Sequence, residues 1–145
     1  MNNNITLSEA TLKDLRISAK GSNVKIPKSA LVTTARITEK RNENNEAISG
    51  SRAKIVLNAV DANTAHELEK LNIEIKQLKG FVIEIEGTDD FLMSIDVKEL
   101  IGKEYSLEKA EIAMLWVRNG NNGSYNALKL VLSELKQVTV NEKKG

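Results

Sequence analysis

The sequence contains no cysteine, which excludes disulfides, thiolate-held metals and thiol nucleophiles. A single histidine is too few for a histidine-based zinc site. Proline occurs once, at Pro27, and the aromatic residues of the 145-residue chain are one tryptophan, two tyrosines and two phenylalanines. A core built on rings is therefore excluded, and the interior must be aliphatic. Long apolar runs are missing as well. The longest, 112–117, falls far short of the roughly 20 residues that span a bilayer, and residues 1–20 are too polar for a signal peptide. These absences predict a soluble cytoplasmic protein with no membrane partner, no metal and no cofactor.

What is present is length enough for one domain. A chain of this size buries roughly 68–70% of its unfolded surface and needs no staple. The formal charge of +1 hides an uneven distribution: residues 1–60 carry +5, residues 61–112 carry −7 and residues 113–145 carry +3. Two basic flanks around an acidic middle are what a single cationic face built from distant segments would require. Chance partition in a small protein is the plain alternative.

Residues 1–27 read as an arm, sparse in apolar side chains and ending in Gly-Ser-Asn before Pro27. Within it Ser8 can cap a short helix with Leu12, Leu15 and Ala19 on one stripe, suited to docking on a neighbouring copy. A frayed terminus reads equally well. The domain proper is expected over 28–138, with a short polar tail at 139–145.

From Leu31 the hydrophobic period is two. LVTTARITEK places Leu31, Thr33, Ala35 and Ile37 on one side and Val32, Thr34, Arg36, Thr38 and Lys40 on the other. After the polar loop RNENNEAISGS, SRAKIVLNAV alternates again, with Ala53, Ile55, Leu57 and Ala59 inward and Arg52, Lys54, Val56 and Asn58 outward. DANTAHELEKLNIEIKQLKG shifts to a helical period, capped at Asp61 or Asn63 and closed by Gly80. FVIEIEG reads as a strand, and a further strand is expected from Phe91 to Val97, before a helical turn stopped by Gly102. Residues 107–119 and 125–137 fit either two helices or two strands joined by NGNNGS, and the strict alternation of Leu128, Leu130 and Leu132 favours the hairpin.

This order predicts a mainly β fold, a five-stranded Greek-key OB-like barrel with one helix between strands 3 and 4. The passage AKIVLNAVDANTAHELEKLNIEIKQLKGFVIEIEG, residues 53–87, resembles the strand, helix, Lys-Gly and Val-x-Ile-Glu-Gly layout of bacterial single-stranded DNA-binding proteins, through Lys79-Gly80 and Val82 to Gly87. The arm and compact barrel also resemble the PrgE type of OB protein encoded with Gram-positive conjugation machinery. The resemblance implies single-stranded DNA binding in plasmid or phage DNA metabolism. Two departures stand out. The chain ends VNEKKG where replicative relatives carry an acidic partner-recruiting tail, and its aromatic residues are sparser than theirs.

Binding a nucleic-acid strand takes cations that follow phosphates and planar side chains that stack on bases, each stack contributing roughly 1–3 kcal/mol. Arg36, Lys40, Arg41, Arg52 and Lys54 supply the first from the outward parity of two strands and their loop, although an ordinary solvated sheet face has the same composition. If Ala113, Leu115 and Val117 face inward, Met114, Trp116 and Arg118 face out beside Tyr125 and Lys129, forming a stacking platform. The opposite register buries Trp116 with Ile112 and Met114.

Other candidates fade. His66, beside Glu67 and Glu69, reads as a surface residue, and Asp89-Asp90 as a turn rather than a metal pair. NGNNG lacks the Lys-Ser/Thr ending of a phosphate-binding loop. Nothing pairs a nucleophile with a base, so no enzyme is expected. The sequence reading is thus non-sequence-specific single-stranded DNA binding, with self-association through the arm. A protein-interaction module and an RNA-binding OB domain are the alternatives.

Overall fold

The computed structural model of the protein describes residues 16–18, 23–119 and 122–138, without the side chains of Gln77, Trp116, Arg118, Asn119, Asn122, Ser124, Tyr125 and Asn126. Leu12 and Leu15, and with them the expected docking stripe of the arm, lie outside the described residues.

The described elements are strands β1 (Ile17–Ser18), β2 (Ser29–Thr38) and β3 (Lys54–Asp61), helix α1 (Ala62–Lys70), a 3-10 turn (Ile75–Gln77), strand β4 (Phe81–Ile85), helices α2 (Asp89–Ser94) and α3 (Val97–Leu100), then β5 (Glu104–Ser106), β6 (Glu111–Asn119) and β7 (Asn122–Leu132). The seven strands form one open sheet in the order β1-β6-β7-β4-β3-β2-β5. All its ladders are antiparallel except β4 with β7, which run parallel. The fold is mainly β as the alternation predicts. It is not a closed five-stranded barrel, because two short strands, β1 and β5, extend the sheet at its edges.

Those edges are nevertheless close together. β5 and β6 stand at or near opposite ends of the strand order, yet five peptide steps join Ser106 to Glu111, a reach of about 18 Å at most. The sheet must therefore curl. The segment after β7 then bonds to β5, with Ser106 N donating to the Lys136 carbonyl and Val138 N to that of Glu104, both at 2.9 Å. One aliphatic core fills the curl, drawn from β2 to β7 with α2 and α3, and Ile55, Leu57, Ile83, Ile85, Leu92 and Leu107 are its largest fully buried members. Each such side chain contributes about 1.5–3 kcal/mol by leaving water.

Simple alternation fails in β2 because of a bulge. Val32 pairs with Ala59 but Thr34 pairs with Asn58, so Thr33 is the extra residue, and its hydroxyl donates to the Asn58 carbonyl at 3.0 Å. Before the bulge Ala30 and Val32 are buried in the core; after it Ala35 packs against the core and Arg36 is exposed. The expected inward side, running from Leu31 through Thr33, is thus correct only past the bulge. β3 has no bulge, and Ile55, Leu57 and Ala59 are fully buried as their alternation predicts.

α1 starts at the expected cap: the Asp61 carboxylate accepts from Asn63 N at 3.0 Å and Thr64 N at 3.4 Å. It ends ten residues before Gly80. Asn72 takes a left-handed φ of 60°, and the Asn72 and Ile73 amides donate back to the Glu69 and Leu68 carbonyls, a complete helix-stop motif in which Asn stands where Gly is the usual residue.

The strand expected over Phe91–Val97 is absent, and the segment runs from α2 through Ile95 and Asp96 into the start of α3. Thr88 caps α2, accepting from Phe91 N at 3.1 Å, and Asp89 and Asp90 lie in the first turn, where the helix dipole favours acids. Leu92 and Ile95, three apart, both enter the core. The final pair of runs is a hairpin, β6 with β7, as favoured. Its first half has the opposite register to the platform reading: Ile112 faces Leu130 in the core, whereas Ala113 stands opposite Lys129.

Candidate nucleic-acid interface

The face of the sheet turned away from the core is set by register. Thr34, Arg36 and Thr38 on β2 stand opposite Asn58, Val56 and Lys54 on β3; Asn58 and Val56 stand opposite Val82 and Glu84 on β4; and Glu84 stands opposite Val131 on β7. Lys129, two residues before Val131, shares this face.

Glu84 is its centre. The residue is only 8% exposed, and one oxygen, Oε2, accepts from Lys129 Nζ at 2.8 Å and Lys54 Nζ at 3.1 Å. The lysines reach it diagonally across the ladders on either side. Burial pushes the Glu84 carboxyl up, but the hydrogen bonds from Lys129 and Lys54 and the two positive charges outweigh it and hold the group below its ordinary value. A second cluster lies on the same face, where Arg16 Nη1 contacts Glu86 Oε2 at 3.1 Å and Glu111 Oε1 at 3.9 Å.

The cations expected to line a groove therefore divide. Lys54 and Lys129 are held by Glu84. Arg52 donates through Nη1 to the carbonyls of Leu92 at 2.7 Å and Ile95 at 2.8 Å, closing the C-terminal end of α2. Lys40 pairs with Asp89 at 2.5 Å in an exposed contact, and Arg41 donates to the Asn45 carbonyl at 2.8 Å within the β2–β3 loop. Arg36 is exposed, donates to Thr38 Oγ1 at 3.5 Å, and has no acidic partner among the described residues. Beside it Asn58 Nδ2 donates to Thr34 Oγ1 at 2.8 Å, both residues exposed.

Trp116 and Tyr125 are backbone partners across β6 and β7, and Arg118 is opposite Gly123; the side chains of Trp116, Arg118 and Tyr125 lie outside the described residues. The pairing steps from Leu115 opposite Ala127 to Trp116 opposite Tyr125, so Asn126 is the extra residue of a bulge in β7.

His66 is not the plain surface residue expected from Glu67 and Glu69. Its Nε2 lies 2.6 Å from Oε1 of Glu104, a buried carboxylate from β5, at the wall of a cleft of about 430 Å³ that Lys28, Ser29, Asp61 and Asn63 also line. Ser29 Oγ donates to Glu104 at 3.5 Å. Among the described residues no group of three or more His, Cys, Asp or Glu could hold a metal.

Sequence reasoning missed Glu84, Glu104 and Arg16. The first was legible in part, since FVIEIEG sets Glu84 on the opposite parity from Ile83 and Ile85. The other two owe their partners to contacts far apart in the chain. No protein-family model, curated protein or solved structure matches this chain.

Proposed function

We propose that the protein is a non-catalytic binder of single-stranded DNA that follows the phosphate backbone without reading sequence, in plasmid or phage DNA metabolism. The observation that carries this reading is the exposed polar strip of Arg36, Thr34 and Asn58 on the outer face, with an arginine whose charge no carboxylate answers among the described residues. The topology supports it. β2, β3 and β4 form an antiparallel meander, β7 joins β4 in parallel and β6 returns beside β7. On an OB-type reading of these five strands, the strip runs over the first and second of them beside the loop that joins them, and OB-type proteins bind oligonucleotides with that loop and the face of the second and third strands.

On this reading Arg36 and Arg41 contact phosphates from one end of the face. Arg118 does so from the β6–β7 hairpin, where Trp116 and Tyr125 stack on bases. Lys40 joins them, because an exposed ion pair such as that with Asp89 is weak and exchanges readily. Arg52 has a structural task instead.

The test is a titration of oligo-dT, oligo-rU and duplex DNA, followed by Trp116 fluorescence at two salt concentrations. Binding to oligo-dT that weakens with salt is expected. A preference for duplex, or no binding at low salt, would sink the reading, and the second result would favour a protein-interaction module. Tighter binding of oligo-rU would move the substrate to RNA.

A further inference from the structure

We propose that Glu84 is a built-in counterion that occupies Lys54 and Lys129 in place of a phosphate and so restrains the affinity of the outer face for a nucleic-acid strand. The inference rests on the single-stranded DNA reading above and concerns the regulation of that same face.

The core makes no use of the charge at this position. Ile83 and Ile85 on either side fill the core, while Glu84 points the other way, opposite Val56 and Val131, both buried. An apolar residue there would continue the strip of valines, whereas a buried carboxylate loses hydration that only its partners restore. Two ammonium groups converge on one carboxylate oxygen, at 2.8 and 3.1 Å. That is the geometry in which lysines receive an anionic oxygen, with the anion supplied by the protein itself. The Lys129 side chain is 15% exposed and that of Glu84 11%, so the pair between them is screened far less than a surface contact.

A strand that approaches this face meets two lysines turned onto one carboxylate, a trio with one net positive charge in place of two. They release few condensed counterions from the strand unless Glu84 lets go, so they add little to the salt dependence of binding. Arg36, without such a carboxylate, adds more. The face thereby keeps its lysines in place and holds its affinity low, which suits a protein that must come off a strand as readily as it goes on.

The experiment compares wild type, Glu84→Gln, Lys54→Met and the double variant for oligo-dT affinity across a salt series, with circular dichroism to check folding. Glu84→Gln is expected to tighten binding roughly tenfold at low salt and to steepen the log K against log salt slope by about 0.7 for each lysine released. Lys54→Met in wild type is expected to change affinity by less than about twofold, and in the Glu84→Gln background to take back about 0.7 of the slope. An unchanged or weaker affinity in folded Glu84→Gln overturns the proposal while wild-type binding leaves the DNA reading intact. Should Glu84→Gln not fold, Lys54→Met in wild type decides: an unchanged slope supports the restraint, and a slope lowered by about 0.7 shows the lysine already on phosphate and overturns it. Binding by Glu84→Gln alone supports it strongly, and binding by neither protein ends both readings.

Discussion

Arg52 donates to the Ile95 carbonyl at 2.8 Å, so a residue that alternation puts on the outer face fastens the start of β3 to the end of α2. Its second bond, to Leu92 at 2.7 Å, makes the same connection. Arg52→Ala is expected to lower stability by about 1.5–3 kcal/mol, the range for hydrogen bonds from a charged group, in urea unfolding. The salt slope of oligo-dT binding should stay as in wild type, and a lowered slope would put Arg52 back among the phosphate contacts.

Arg36 carries the opposite expectation. Arg36→Ala should leave the urea midpoint nearly unchanged, because its only described hydrogen bond is a long one to Thr38. Oligo-dT affinity should fall severalfold at low salt and the salt slope should flatten by about 0.7. A variant that binds as wild type does would remove the strip from the interface.

The Glu84 carboxyl is held below its ordinary value in the folded protein, so it contributes stability that is fully present above the unfolded value of about 4.3. That contribution is lost as pH falls through the lower folded value, because the unfolded chain then binds the proton first. Chemical denaturation at neutral pH and at successive steps below about pH 4.3 should show a decline that Glu84→Gln lacks in part. Parallel curves for the two proteins would mean that the two lysines do not stabilise the ionised form.

How much of this was legible in the residues depends on the range over which each interaction acts. The Asp61 cap, the aliphatic rows of β3 and β4 and the final hairpin all follow from neighbours in sequence, and each stands where its pattern puts it. The two bulges do not follow, since Thr33 is displaced by pairing with a partner strand and nothing in LVTTARIT marks it. Phe91–Val97 misled because a short amphipathic helix and a short strand share a composition, and the Thr88 cap with two acids after it outweighs the β-leaning FLMSI. Among the cations, alternation gave the side of the sheet but not the partner. Whether a lysine is free depends on a glutamate 30 or 45 residues away.

Leu92 tests the α2 correction directly. It is 1% exposed in the core, where a helix rather than a strand positions it beside Ile95. Leu92→Ala should cost about 2–5 kcal/mol by urea unfolding, and Met93→Ala, on the exposed side of the same helix, under about 1. Equal losses at both positions would contradict the exposure of Met93, and a cost for Met93→Ala matching that of Ile95→Ala, the pair a strand would set on one face, would contradict the helical placement.

The arm reading, centred on Leu12 and Leu15, makes a separate statement about assembly. Removing residues 1–15 should lower the cooperativity of binding to long oligo-dT while sparing an oligonucleotide one site long. Unchanged cooperativity would leave the stripe without a role in self-association.

The strand Glu104–Ser106 is gripped from two sides, by residues near position 30 and by residues near position 137. Few of these bonds are local, so the loop entropy for closing them comes due before they repay it, and folding should be slow for a protein of this size. During synthesis the edge of β5 stays open until almost the last of the described residues has emerged. Until then the nascent chain carries an unpaired edge, and the interval in which it can pair wrongly with a neighbour ends only with the bond from Val138 to Glu104.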